Sequence, residues 1–519
     1  MIGRMEYEMH KIFKRVLACA VTGILVFSVI LTTKQTTINS TAASSKKAAT
    51  ASLTQAPKYV FMFIGDGMSY PQIQAASDYL GAMGQNRTSD ILSGNKYLNF
   101  MRFPVAGSAV TYDSTSFCPD SASTATSLAT GFKTYSGTIN MDESMTISYE
   151  TIAEQLKEQL NYKIGIISTV NLNHATPAAY YAHQASRNNY YAIGLEMIQS
   201  KFDYFAGGAL KNPNGDDKNN PQTNIYELAQ NDGYKVIKTQ AEAEKLTAAD
   251  GKAIVIGETL ADSDSLSYAN DAKESEWALK DYVKKGIEVL DNETGFFMMV
   301  EGGKIDWACH ANDAGSTIAD TIALDESVNE AIKFYNQHPQ ETLIIVTGDH
   351  ETGGLTIGYA GTDYDTYLTN LSNQKISYAK FDTDYVKNYK ANNTEFTTVL
   401  ADIKNNFGLM ASSDKDANST SKLVLTNYEY NKLKQAYEKT LSGDTGRSEE
   451  EYILYGSYEP LTVTITHILN NKSGIDFSSY AHTGLPVGVF AQGQGAELFS
   501  GYYDNTEIYK NLANLLKVK

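Results

Sequence analysis

The chain has 519 residues, 42% hydrophobic and 20% charged, a balance that fits a globular protein with a sizeable core and excludes wholesale disorder or a polytopic membrane protein. Acidic residues outnumber basic ones 60 to 43, for a formal net charge of −17, and such a surface repels a phosphate backbone, which argues against nucleic acid as a partner. Three cysteines (Cys19, Cys118 and Cys309) are too few for a disulfide framework or a four-thiolate zinc site.

Lys11, Lys14 and Arg15 precede an apolar run over residues 16–31. That order of charge and then apolar length reads as an export signal over residues 1–33. The run is also just long enough for an uncleaved N-terminal membrane anchor, the alternative reading. Residues 34–57 are rich in Ser, Thr, Ala and Lys with almost no large apolar groups, so they read as a flexible tether. The chain is therefore expected outside the cytoplasm: secreted, periplasmic or on the cell surface.

Residues 58–519 read as a single catalytic domain. Short β-branched or aromatic runs at 59–64, 163–168, 296–300 and 342–346 are nearly continuous in apolar residues, as strands buried on both faces of a largely parallel sheet are. Between the last two, Ser316 is expected to cap a helix carrying Ile318, Ile322, Asp325, Val328 and Ile332. Strand, helix and strand recur, so the fold class is α/β, and in such sheets ligands bind beyond the carboxyl ends of the strands. Residues of about 360–455 break this alternation and read as an α-rich insertion, over the site rim or at a subunit contact. Phe396, Val399, Leu400, Ile403 and Phe407 share one helical face there, with Gly408 placed to end it.

The expected strand ends carry the chemistry. The first runs into Gly65-Asp66-Gly67; the run at 296–300 leads to Glu301, Asp306 and His310; the run at 342–346 leads to Asp349-His350; and His482 follows a late apolar segment. If the chain turns helical after Asp306, Asp306 and His310 are four apart and share a face, as two ligands of one metal need. Mixed imidazole and carboxylate donors suit zinc. Alone, a Gly-Asp-Gly is a turn and an Asp-His pair a solvated loop; their recurrence after buried strands is what points to metal. His183, His338 and His467 lack such a setting, and His338 is expected at the surface. Asp120-Ser121 opens a run of small residues ending at Gly131. A serine opening a helix sits where backbone N–H groups and the dipole favour an anion. Without a Gly-x-Ser-x-Gly elbow, its activation is assigned to metal.

These motifs, together with His174-Ala-Thr176-Pro and Ser186-Arg187, occur in the order found in alkaline phosphatases, and the chain resembles that family over about 58–358 and 455–500. The resemblance implies a large, mainly parallel central sheet flanked by helices, with the insertion added. It makes Ser121 the nucleophile that becomes phosphorylated. Asp306, His310 and His482 resemble the ligands of one zinc, and Asp66, Asp349 and His350, with Ser121, those of a second. Asp66 would bridge to a third site, usually magnesium, with Thr176 and Glu301. Arg187 resembles the residue that grips two phosphoryl oxygens, and Asp120 the carboxylate that orients it. Two positions depart from the best-studied bacterial pattern. His174 stands where aspartate is found and could ligate the third metal itself, so that zinc or cobalt replaces magnesium. Trp307 stands where lysine is found and removes a cation near the phosphate. The implied activity is an exported metal-dependent phosphomonoesterase of broad substrate range and alkaline optimum, acting on small-molecule phosphate monoesters as a homodimer. Diesterases, phosphonate hydrolases, sulfatases and cofactor-independent phosphoglycerate mutases share the metal core, but Asp120-Ser121-Ala122 with Arg187 and Thr176/Glu301 favours a monoesterase. The alternative from another class is a silent, zinc-stabilised binding protein, which would have no need of Ser121. Cys118 and Cys309 are expected as free thiols.

Overall fold

The computed structural model describes residues 56–84, 94, 96–418, 421–444 and 446–519, and Ala56–Lys519 form one compact unit. The expected signal or anchor over 1–33 lies outside the described residues, as does the tether up to residue 55. Pro57 already belongs to the compact unit, where its carbonyl accepts from the Tyr162 hydroxyl at 2.8 Å. Among the described residues no helix is long and apolar enough to cross a membrane.

Ten strands form the main sheet: β1 (Tyr59–Gly65), β2 (Val105–Val110), β3 (Lys163–Asn171), β4 (Tyr204–Gly208), β5 (Lys235–Ile237), β6 (Ala253–Ile256), β7 (Phe296–Gly302), β8 (Thr342–Gly348), and the late strands Val487–Gly493 and Gly501–Asp504. Short outlying strands are β9 (Glu351–Thr352), β10 (Leu355–Ile357), β11 (Ile475–Phe477) and β12 (His482–Thr483), so the late strands are β13 and β14. The order across the main sheet is β14-β2-β13-β8-β1-β7-β3-β4-β6-β5. All neighbours are parallel except β13, which runs antiparallel to both β8 and β2.

The four strands expected from the sequence are the four at the centre, β8-β1-β7-β3. Their continuous apolar runs follow from cover on both faces. Successive side chains of β1 go to opposite faces, with Tyr59, Phe61 and Phe63 in one core cluster and Val60, Met62 and Ile64 in the other. The first cluster holds the helix Ala314–Tyr335 and the second the helix Ser121–Thr130.

Ser316 does not cap its helix. The helix Ala314–Tyr335 begins two residues earlier, and Asp313 is the cap, its carboxylate accepting from the Ser316 N–H at 2.9 Å. A carboxylate three residues ahead reaches the first-turn N–H, which leaves the serine inside the turn. The insertion is α-rich, with helices Phe396–Phe407, Asn427–Ser442 and Glu449–Tyr455 among others. Val399, Ile403 and Phe407 are buried as expected, and Gly408 ends the helix at φ +73°. These side chains join the same core cluster as Leu461 and Ile465 of the helix Pro460–Ser473.

Candidate active site

Three central strands deliver the site at one level. Gly65 of β1 pairs with Gly302 of β7 and with Gly348 of β8, so Asp66, the turn after Gly302 and Asp349 leave the sheet side by side. Gly67 turns the chain at φ +71°, and a Cβ there would stand 2.8 Å from Thr352 Oγ1 and 3.0 Å from Asp306, a gap only glycine fits.

After β7 the helix Lys304–His310 sets Asp306 and His310 on one face, with His310 Nε2 3.3 Å from Asp306 Oδ1. His482 arrives differently from the expectation. It does not end a strand of the main sheet but lies in β12, paired antiparallel with β9 so that His482 faces Thr352. This lacing brings His482 Nε2 to 3.6 Å from Asp306 Oδ1 and 3.1 Å from His310 Nε2. His310 Nδ1 lies 2.7 Å from the Tyr480 carbonyl oxygen and His482 Nδ1 2.5 Å from that of Pro119. A carbonyl only accepts, so both Nδ1 atoms carry protons and donate. Two Nε2 lone pairs and a carboxylate oxygen then point at one place, which suits a bound cation.

A second group lies beside the first, the His350 ring stacked 3.7 Å from that of His482. His350 Nε2 is 3.3 Å from Asp66 Oδ1, 3.4 Å from Asp349 Oδ2 and 3.2 Å from Ser121 Oγ. A third comprises Asp66, His174 and Glu301, with Thr176 Oγ1 3.4 Å from Asp66 Oδ2. In each group the candidate ligand atoms lie within 4.8 Å of one another. Asp66 Oδ1, Glu301 Oε1 and His174 Nδ1 are buried without a hydrogen-bond partner. Such atoms are costly unless something binds them, and their chemistry is that of metal ligands. The residues present therefore fit the metals expected of them.

Ser121 is the first residue of the helix Ser121–Thr130, with Asp120 as its cap. Asp120 Oδ1 accepts from the Ser123 and Gly137 N–H groups at 3.1 and 2.9 Å, while Oδ2 accepts from Arg187 Nη1 at 2.8 Å. The other fork nitrogen, Nη2, is 3.4 Å from His174 Nε2. All twelve residues expected from the sequence thus gather at one end of the sheet, with Ser121 and Arg187 beside the three groups.

The sequence model of the alkaline phosphatase family matches residues 57–518. The chain belongs to the alkaline phosphatase family. Alkaline phosphatase 4 of Bacillus subtilis (strain 168) is 29% identical over 484 residues, covering 92% of this chain and 91% of that protein. The membrane-bound alkaline phosphatase of Bombyx mori is 30% identical over 370 residues, 62% of this chain and 65% of that one. Among solved structures, the cold-active alkaline phosphatase of a psychrophilic Shewanella superposes with a TM-score of 0.70 at 27% identity, over 88% of this chain and 99% of that one. Family and fold support phosphomonoesterase activity, with metal cofactors.

Electrostatics in this alkaline phosphatase favour cations. Burial, then Asp349, Asp306 and Glu301, pushes Asp66 well above the carboxylate range. Burial and Asp306 push Asp349 up to about 8, and burial pushes Glu301 up to about 7 although Ser168 hydrogen-bonds it. Crowded, desolvated carboxylates with too little positive charge behave this way. Burial, with the cation of Arg187 next, holds His174 down at about 3, so it is a neutral imidazole able to ligate. Burial would also raise Asp120, but Arg187 and the N–H donors outweigh it and bring it to about 2.

Several contributors escape a sequence reading. The Tyr480 and Pro119 carbonyls have no side-chain signature. Thr352 has none either, because His350 lies in the bend before the two-residue strand β9 and no strand periodicity links the two. His183, which lacked a setting in the sequence, sits between Glu154 and Glu196 at 3.4 and 3.1 Å. His338 is half-buried rather than at the surface, its ring 4.6 Å from that of Phe334. Cys118 is exposed and Cys309 buried, both free.

Proposed function

We propose that this alkaline phosphatase is an exported, metal-dependent phosphomonoesterase of broad substrate range that works through a phosphoserine at Ser121. The observation that carries the reading is Ser121 Oγ at 3.2 Å from His350 Nε2, at the N-terminus of a ten-residue helix and beside Arg187. Zinc would be held by Asp306, His310 and His482 and again by Asp66, Asp349 and His350. Magnesium, or zinc or cobalt given His174, would be held by Asp66, Glu301, Thr176 and His174. When bound, the cations would supply Lewis acidity toward the serine hydroxyl, the leaving oxygen and the hydrolytic water.

Arg187 offers a planar fork to two phosphoryl oxygens, and Asp120 fixes that fork so that the phosphorus faces Ser121. The helix N–H groups favour the same anion. Ser121 Oγ gives its proton to solvent water and forms the bond to phosphorus, while the bond to the alcohol oxygen on the far side breaks and that oxygen takes a proton from water as it leaves. Water then attacks the same phosphorus and returns Ser121 with release of inorganic phosphate. Export through residues 1–33, which rests on the charged and then apolar order there, and a homodimer, which rests on the resemblance alone, complete the reading.

The test is hydrolysis of an aryl phosphate at alkaline pH by the zinc- and magnesium-supplied protein. Ser121→Ala and a chelated sample should each lose activity by orders of magnitude, and acid quenching of the wild type should leave a phosphate on the peptide bearing Ser121. Full activity in Ser121→Ala would sink the phosphoserine step. Hydrolysis of a bis-aryl phosphate in preference to the monoester would move the reading to a diesterase.

A further inference from the structure

We propose that the last stretch of the insertion acts through Tyr480 to hold His310 and His482 in register, making Tyr480 a positioning residue for the cation of the Asp306, His310 and His482 group. The proposal rests on the phosphatase reading above and gives the insertion a task in it. Tyr480 is tied at both ends. Its carbonyl receives the His310 Nδ1–H at 2.7 Å, fixing that ring's tautomer and aim, and two residues later the chain supplies His482 itself. Its hydroxyl donates to the Leu454 carbonyl at 2.7 Å, and its ring lies 6.4 Å from that of Tyr452 and 6.1 Å from that of Tyr458.

The insertion side of the contact is built for close approach. Gly456 adopts φ +56°, and a Cβ there would stand 2.7 Å from Tyr480 Cγ. Arg447 donates from Nη1 to the Gly456 carbonyl and from Nη2 to the Tyr458 carbonyl. That fork pins the loop bearing Gly456, and the loop pins the tyrosine ring. On the other flank the Ser479 carbonyl accepts from Asn312 Nδ2 at 2.8 Å, and Asn312 Oδ1 lies 3.0 Å from His467 Nε2. His467, which has no metal-like setting in the sequence, thereby braces the same turn. The partner of a ligating histidine's second nitrogen sets its orientation and basicity, and losing it typically costs about 10–100-fold in metal affinity.

A tyrosine that merely filled space would affect overall stability, not one metal group. Zinc release into excess chelator, followed with a zinc indicator, separates the two cases, with His310→Ala and His350→Ala identifying which release phase belongs to which group. Tyr480→Phe, Arg447→Met and Gly456→Ala should each speed the phase missing in His310→Ala by about 10–100-fold. The phase missing in His350→Ala should stay at its wild-type rate in all three, and in Tyr480→Phe the melting temperature of the metal-free protein should stay at its wild-type value. Equal acceleration of both phases, or no acceleration of either, would overturn the proposal. Tyr480→Phe removes one hydroxyl only and keeps the test open should Arg447→Met fail to fold. A wild type that holds no zinc would instead overturn the phosphatase reading itself, with this proposal falling as a consequence.

Discussion

The Thr352 hydroxyl donates to Asp306 Oδ1 across 2.6 Å and lies 3.3 Å from His350 Nδ1. Its single proton is committed to the carboxylate, so toward His350 it accepts, and the His350 proton sits on Nδ1. That leaves the His350 Nε2 lone pair for the side where Ser121, Asp66 and Asp349 stand. One hydroxyl thus orients a candidate ligand in each of two metal groups.

Thr352→Val keeps the β-branched shape and removes this bridge. Zinc affinity is expected to fall about 10–100-fold in both groups, and activity should return toward wild type when excess zinc is added. Equilibrium dialysis against graded free zinc would check it. Wild-type affinity in the variant would show that packing around β9 and β12 orients the ligands without the hydroxyl.

The centre of the site also bears on product release. Lys304 is a buried cation next to Trp307, but its ammonium is held by Asp262 at 2.7 Å and Ser265 at 2.8 Å, and it lies 4.6 Å from the Trp307 ring centroid. It is thus already engaged and does not stand in for the lysine that the family resemblance would place at Trp307. Trp307→Lys should make inorganic phosphate a stronger inhibitor, by roughly tenfold for an added charged hydrogen bond of about 1.5 kcal/mol. Inhibition constants measured for the pair settle it, and an unchanged or weaker constant would sink the idea.

How far the molecule can be read from its sequence depends on burial. β1, β7 and β8 are buried at every position, so their letters run almost continuously apolar, broken only by Glu301, Thr342 and Thr347 near the ends, and the strands stand out. β2 and β14 are partly exposed, one Gly- and Ala-rich and the other Gly-Tyr-Tyr-Asp, and nothing in them separates strand from loop. β13 carries strand-like residues, yet its antiparallel direction comes from how the chain returns, not from composition. The same division runs through the site. Asp66, Asp306, His310, Asp349 and His350 follow buried strands and are legible by position. His482 depends on the pairing of two two-residue strands, and its Pro119 partner is 363 residues away in sequence.

His183 gives the protein a pH dependence separate from catalysis. Burial would lower its pKa, but hydrogen bonds and charge from Glu154 and Glu196 raise it to about 10. Its Nε2 also meets the Tyr149 carbonyl at 3.1 Å, and Lys157 and Glu158 line the same hollow. A histidine raised in the folded state contributes stability in full below its unfolded pKa, near 6.5, and loses it as pH rises through the folded value. His183→Gln should therefore be destabilised near pH 7, by roughly 1–2 kcal/mol for a lost charged hydrogen-bond pair. The gap to wild type should narrow as pH approaches 10. Melting curves of the two proteins at pH 6, 8 and 10 test this, and a gap independent of pH would show that the ring works by packing alone.

Asp120 joins two tasks that a pair of substitutions can separate. As helix cap it receives the Ser123 N–H, and as partner of Arg187 it fixes the fork expected to grip phosphate. With its pKa near 2 it is ionised throughout the working range, so pH cannot report on it. Asp120→Ala should cost about 1 kcal/mol of stability through the lost cap. It should also raise KM and the phosphate inhibition constant several-fold while leaving kcat less affected, because the guanidinium stays but loses its anchor. Arg187→Ala should raise both constants further. The double variant should then bind phosphate no worse than Arg187→Ala, since the carboxylate acts only through the guanidinium, and the coupling equals the Asp120→Ala loss itself, roughly 1 kcal/mol. Additive losses would mean that Asp120 supports the anion independently, through the aim of the helix that carries Ser121.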